Sequence, residues 1–238
     1  MKAMILAAGR GERMRPLTDT TPKPLLPVGG KPLIVWQIER LVKAGFRDLV
    51  INHAWLGSQF EDVLADGSAW GARIAWSREG IALETAGGIV TALPLLEANA
   101  RDEPFVVVSA DIYADYDYAQ LAAVVDAMRL DYSRRAAHLV LTDNPPYHSH
   151  GDMALENGRI AREGASLHTY ANIGVFQPRV FDGLPMHVPL ALFPWAYALA
   201  DAGRISGEIF HGVWDNVGTP EQLCALDRRL QHEGAAHG

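Results

Sequence analysis

The chain has 238 residues, 49% of them apolar and 21% charged, with a formal net charge of −7. That length and composition suit one soluble α/β domain, and the acidic balance argues against a general nucleic-acid binder. No apolar run approaches the roughly 20 residues of a membrane span, and with Cys224 as the one cysteine there is no disulfide framework and no cysteine zinc site.

Lys2 is followed by a very short apolar stretch that Gly9-Arg10 ends. This predicts a first strand over 3–8 rather than a secretory signal, and with it a cytoplasmic setting. Next comes Gly9-Arg10-Gly11-Glu12-Arg13-Met14, then a polar, proline-punctuated run to Lys23 and Pro24. Residues 1–31 carry Lys2, Arg10, Arg13, Arg15, Lys23 and Lys31 against Glu12 and Asp19, a local charge of +4 on an acidic chain. Such a segment can focus a positive field on one place; a solvated basic patch would not require the glycines.

Leu33, Trp36, Ile38, Leu41 and Val42 recur at helical spacing, with Gly45 where a C-cap belongs. Strands follow over 48–52, 72–77, 104–110 and 137–142, separated by helices over 59–64, 85–96 and 118–128. Continuous apolar strands alternating with helices predict a mostly parallel central sheet with helices on both faces. Asn144-Pro145-Pro146 breaks the pattern. Beyond it come short strand-like pieces, a strand over 169–176, a helix over 190–202, an extended run over 209–213 and a helix over 219–232. Thr219 is its N-cap and Pro220 its first residue. A small antiparallel lobe is therefore expected toward the C-terminal half. The whole is expected to be one domain, with 1–143 as a nucleotide half and 144–238 as a half that completes the sheet.

The first loop is neither of the familiar phosphate loops. Met14 stands where a dinucleotide fingerprint needs its third glycine, and no Gly-Lys-Ser/Thr follows Gly11. It still holds the parts of a triphosphate cradle. Gly9 and Gly11 let the backbone approach phosphate oxygens, Arg13 offers a forked permanent cation, and Lys23 is stiffened by Pro22 and Pro24 on either side.

Leu6–Thr18 and Pro22–Leu25 closely resemble the hallmark of the sugar-1-phosphate nucleotidyltransferases, also called sugar-nucleotide pyrophosphorylases. Glu84-Thr85-Ala86-Gly87-Gly88, Ser109-Ala110-Asp111 and Val217-Gly218-Thr219-Pro220 resemble that family's base-binding, metal and C-terminal segments. Within the family, Val50–Gly57, Leu83-Glu84-Thr85, Tyr116-Asp117-Tyr118, Asp143-Asn144-Pro145 and Gly151-Asp152 are similar to the branch that uridylylates N-acetylmuramate 1-phosphate in peptidoglycan recycling. The length fits that branch too, stopping before an appended hexapeptide-repeat domain could start.

The resemblance implies a Rossmann-like nucleotidyltransferase fold and a reaction of UTP with a sugar 1-phosphate, supported by Mg2+. It implies Arg13 and Lys23 as catalytic groups. Ala8, Gly9, Gly11, Glu12, Arg13, Lys23, Thr85, Gly88 and Ser109 fall to the nucleotide. Asn52, Glu84, Asp152 and Asn172 are candidates for the sugar. Asp111 falls to the metal with Asn216, and Asp215 is the alternative because the family's usual aspartate is displaced by one position.

Several readings stay open. Small residues over 86–88 also suit tight helix packing. His148 and His150 suit a polar loop as well as a metal. Another sugar 1-phosphate (mannose or glucose) with GTP, dTTP or CTP, or a non-catalytic nucleotide sensor, fits the same motifs. No nucleic-acid or membrane partner is expected, and oligomeric state is not legible.

Overall fold

The computed structural model describes residues 1–97, 102–131, 134–193 and 195–236. Strands are numbered β1 (Lys2–Leu6), β2 (Pro27–Val28), β3 (Lys31–Pro32), β4 (Asp48–His53), β5 (Arg73–Arg78), β6 (Phe105–Ser109), β7 (Ile112–Ala114), β8 (Ala137–Thr142), β9 (Ala154–Glu156), β10 (Arg159–Ala161), β11 (Thr169–Phe176), β12 (Ile205–Phe210) and β13 (Trp214–Asn216). The helices are α1 (Leu33–Lys43), α2 (Gly57–Leu64), α3 (Glu84–Leu96), α4 (Gln120–Leu130), α5 (Trp195–Asp201) and α6 (Pro220–Ala236).

The central sheet has the order β5-β4-β1-β6-β11-β8-β12-β10-β9. β11 and β10 run against the other seven strands. This is the mostly parallel α/β architecture expected. The antiparallel part takes the form of the β9–β10 hairpin at one end of the sheet and the separate β7–β13 pair. β11, from the C-terminal half of the chain, lies between β6 and β8, so the two halves share one sheet.

Both faces of the sheet are dry, which is why its strands read as unbroken apolar runs. Neighbouring side chains on a strand point to opposite faces. Ala3 and Ile5 of β1 join Ile51, Val106 and Val108 beneath α1, α2 and α4. Met4 joins Val50, Val107 and Leu139 beneath α3 and α5. A third cluster closes the chain on itself: Leu223, Leu226 and Leu230 of α6 pack on Met14, Leu26, Val28 and Tyr113. Gly45 caps α1 at φ 93°, as the sequence predicts.

The helix expected over 190–202 is shorter. α5 begins at Trp195, and the chain before it has another task. The Leu190 carbonyl accepts the amides of Ala86 (2.9 Å) and Gly87 (3.1 Å) at the start of α3, and the Leu190 amide donates to the Leu83 carbonyl (3.0 Å). Leu190 thus satisfies donors that a helix N-terminus leaves open.

β7 leads away from the end of β6 and is tied to α1 by one buried side chain. Gln37 Nε2 donates to the Ile112 carbonyl (2.7 Å), and the Tyr118 hydroxyl donates to Gln37 Oε1 (2.5 Å). Gln37 is 0% exposed. Gln37→Ala would leave that carbonyl and that hydroxyl buried and unpaired, at about 2–5 kcal/mol for the two groups. Urea unfolding should show that loss as a lower midpoint with an unchanged slope.

Candidate active site

The parallel strands β4, β1 and β6 end level with one another: Leu6 is in register with Asn52 on one side and Ser109 on the other. Ligands of open α/β sheets collect at such C-terminal edges. Here the edge opens into a cavity of about 300 Å³. Of the residues singled out from sequence, Ala8, Gly9, Lys23, Thr85, Ser109 and Asp111 line it, with Asn52 and Glu84 at its wall. Gly11, Glu12, Arg13 and Gly88 do not.

The loop after β1 is held by side chains that bond its backbone. Thr18 Oγ1 donates to the Gly11 carbonyl (2.8 Å), Trp55 Nε1 to the Thr18 carbonyl (3.0 Å), and Gln59 Nε2 to the Thr20 carbonyl (2.9 Å). The Arg10 guanidinium sits 4.3 Å above the Trp55 ring centroid, a cation–π contact. Trp55 carried no role in the sequence reading. No spacing rule links it to Thr18, 37 residues earlier.

Asn52 is also more than expected. It is 2% exposed. Its Oδ1 accepts the Ala7 amide (2.8 Å), its Nδ2 donates to Glu79 Oε1 (2.6 Å), and Glu79 Oε2 accepts the Leu83 amide (3.1 Å). Burial pushes the Glu79 carboxyl pKa up, while the Asn52 and Leu83 donors oppose it. Asn52, a candidate for the sugar, lines the cavity and is also a strut between the first loop and the approach to α3. Gly88 packs behind it: a Cβ there would stand 2.8 Å from both Asn52 Nδ2 and Glu79 Oε1. Gly87 has equally little room, since its Cβ would lie 2.3 Å from the Val188 carbonyl oxygen. Both clearances show that packing requires small residues here, one of the two readings open from the sequence.

Lys23, 9% exposed, forms an ion pair with Asp111 at the end of β6. The Val217 amide donates to the Asp111 carbonyl (2.9 Å), and Asn216 is in register with Ile112 across the β7–β13 pair. This brings Asn216 beside Asp111. Asp215 is placed differently: Arg229 Nη2 of α6 donates to its carboxylate at 2.5 Å, so the alternative metal ligand is already engaged in docking the last helix. Among the described residues no group of three or more His, Cys, Asp or Glu could hold a metal. One carboxylate and one amide oxygen still fit a magnesium ion, which keeps several waters and takes the rest of its ligands from phosphates.

Arg13 lies on the exposed face of the loop, against the C-terminal segment. A Cβ on Gly218 would be 3.0 Å from its Nη2. Gly218 and Thr219 donate their amides to Gln222 Oε1 (2.7 and 3.0 Å), which caps α6. Arg13 also shares its surroundings with Tyr147, whose hydroxyl pKa burial raises while the Asn216 backbone lowers it.

A second cavity of about 420 Å³ shares Glu84 and Thr85 with the first and adds Tyr170, Asn172 and Phe193. Glu84 and Asn172 are both left-handed, at φ 58° and 57°, and Asn172 occupies a register break in β11. A bulge re-aims its residue, and a left-handed glutamate stores strain of the kind found at functional sites. Asp152 lines neither cavity. Its Oδ2 accepts the Tyr170 amide (2.8 Å) and its Oδ1 pairs with His148 Nε2 (3.0 Å), so it anchors β11 and the loop after β8.

Comparison with known proteins places this geometry. The nucleotidyl transferase family model matches residues 2–233. The chain belongs to that family. It is 49% identical to the N-acetylmuramate alpha-1-phosphate uridylyltransferase of Neisseria meningitidis, covering 99% of each chain. It is 35% identical to the protein of the same name from Caulobacter vibrioides, covering 96% of each. A solved structure of a candidate glucose-1-phosphate thymidylyltransferase from Bacillus anthracis, in complex with sucrose, superposes with TM-score 0.82 over 97% of this chain and 95% of that one. At 20% identity that likeness shows the fold.

The two loop glycines separate cleanly. A Cβ added at Gly9 would meet nothing within 4 Å, whereas Gly11 has φ +68° and a Cβ there would stand 3.0 and 3.1 Å from Thr18 and Lys23. Gly11→Ala should lower the melting temperature, with a cost of about 1 kcal/mol or more for the left-handed backbone. Gly9→Ala should leave it unchanged, so any loss of nucleotide affinity, read by calorimetry, belongs to the cleft alone.

Proposed function

We propose that the chain transfers a uridylyl group from UTP to N-acetylmuramate 1-phosphate, releasing pyrophosphate and forming UDP-N-acetylmuramate. The near full-length likeness to the Neisseria uridylyltransferase carries this reading. The chemistry of the cleft supports it. An oxygen of the sugar phosphate attacks the α-phosphorus, and the bond from that phosphorus to the β-phosphate oxygen breaks, its electron pair leaving with pyrophosphate. The nucleophile is an anion at neutral pH, so no general base is needed. What the protein must supply is alignment and positive charge.

In this proposal the first half of the chain takes the nucleotide and the second half contributes to the sugar side. Ala8 and Gly9 let the backbone approach the nucleotide, and Thr85 and Ser109 flank it. Lys23 neutralises charge at the α-phosphate and the incoming sugar phosphate, and Arg13 does so for the leaving pyrophosphate. Glu84 and Asn172 face the sugar from the second cavity. Asp111, with Asn216 beside it, would hold a magnesium ion, which when bound neutralises triphosphate oxygens. No described helix is long and apolar enough to cross a membrane; a free, exposed Cys224 suits a reducing compartment, and we place the activity in cytoplasmic peptidoglycan recycling.

A pyrophosphate-release assay over four nucleoside triphosphates and several sugar 1-phosphates tests the reading. UTP with N-acetylmuramate 1-phosphate should give the highest kcat/KM. Equal rates with glucose 1-phosphate would remove the muramate assignment and keep the reaction class. No pyrophosphate from any pair would leave a nucleotide sensor. Lys23→Ala should lower kcat/KM by about two orders of magnitude or more, as the loss of a preorganised charge does.

The metal side makes its own prediction. Asn216→Asp adds a carboxylate beside Asp111, so half-maximal rate should need several-fold less magnesium and calorimetry should show tighter magnesium binding to the free protein. Asp215→Ala should instead weaken the docking of α6 and leave the magnesium titration in place. The reverse pattern would make Asp215 the ligand.

A further inference from the structure

A further cavity, of about 480 Å³, opens on the other side of the molecule. It lies where β8 and β12 begin, the opposite end of the sheet from the cleft, because β8 runs in the same direction as β1 and β6. Arg134, Arg135 and Arg159 line it, and an adjoining cavity adds Arg204. Four arginines therefore converge on one spot of a chain whose net charge is −7. Neither Arg134 nor Arg204 has an ion pair among the described residues, and the buried Nε of Arg204 has no hydrogen-bond partner.

The nearby acids leave most of this charge uncompensated. Asp131 stands 3.9 Å from Arg135. Glu208 takes the Tyr116 hydroxyl. Arg159 Nη1 bonds only to the Gly203 carbonyl.

His138 closes the floor. It is 7% exposed, its Nδ1 bonds Ser206 Oγ (3.0 Å), and its Nε2 is buried with no hydrogen-bond partner. Glu208 Oε2, at 3.9 Å, is too far to serve. Burial holds the His138 pKa down, Glu208 raises it and Arg135 lowers it. Guanidinium groups without carboxylate partners, Arg134 and Arg204 among the described residues, call for a ligand with several acceptor oxygens. The opposite wall, Ala123, Val124 and Ala127 of α4, is apolar and has room for an organic remainder.

We propose that this cavity is a second binding site, for a phosphate monoester of a small organic molecule. The phosphate sits between Arg134 and Arg159, above the His138 ring, and its organic part lies against α4. The site is independent of the cleft and does not rest on the assignment of the reaction.

Histidine side-chain NMR tests it, with the His138 signals assigned by their loss in His138→Gln. Glucose 6-phosphate and inorganic phosphate, titrated at fixed pH and ionic strength, should shift the His138 signals saturably, and glucose should not. Arg134→Ala with Arg159→Ala should weaken binding by about tenfold or more, since each removes a charge-assisted hydrogen bond. Arg134→Glu, at an exposed residue, should do the same without touching the Arg159–Gly203 bond. Absence of a saturable shift with both phosphates, an equal shift with glucose, or a shift indifferent to the arginine substitutions would overturn the proposal.

Discussion

The level ending of three parallel strands is the constraint on which the rest depends. With Leu6 flanked by Asn52 and Ser109, the loop after β1, the strut from β4 and the carboxylate after β6 must share one edge. A slip of one residue in either pairing would turn every side chain of that strand to the other face. It would also separate Asn52 from the Ala7 amide and Asp111 from Lys23. Two dry faces make such a slip costly, because it would have to re-bury Ile5 and Met4 in each other's places. The sheet's hydrophobic packing thereby fixes the positions of polar groups that contribute little to it.

Within that frame the cleft is built by amides and carbonyls more than by charges. Asn52, Glu79, Thr18, Trp55 and Gln59 each bond a backbone group of a loop. Such bonds fix a loop without filling the space a substrate needs. Among the described residues, the ion pair in the cleft, Lys23 with Asp111, joins a nearly buried cation to a carboxylate that is still partly open. Each member covers part of the other's desolvation cost. Both remain on the cavity wall, where a polyanion and its counter-ion would meet them.

Much of this was legible in the sequence, and for identifiable reasons. Strand and helix order followed from apolar runs and from Gly45 as a stop signal. That Gly9 and Lys23 line the cavity at the sheet edge was also legible, from a glycine-rich loop after the first strand and a lysine between two prolines. What failed to show was long-range partnership. Nothing local distinguishes an asparagine that faces a sugar from one whose amide joins Ala7 to Glu79. Nor does anything local show that the Asp152 carboxylate accepts the Tyr170 amide. The helix expected over 190–202 was overridden by tertiary bonding: the Leu190 backbone caps α3 instead of continuing a helix. The bonds of Trp55 to Thr18 and of Glu79 to Asn52 carried no signal because the partners lie on other elements.

In the proposed reaction, that Leu190 cap would also couple the two halves of the chain. α3 begins at Glu84, and both cavities include Glu84 and Thr85. The start of α3 is gripped on one side by Glu79, itself held by Asn52, and on the other by Leu190. A displacement of either grip would move Glu84 and Thr85 in both cavities together. The left-handed backbone at Glu84 persists only because these bonds over-determine it. The strain therefore sits at the junction, where the two proposed substrates must be aligned to within a fraction of an ångström for one phosphorus–oxygen bond to form as another breaks.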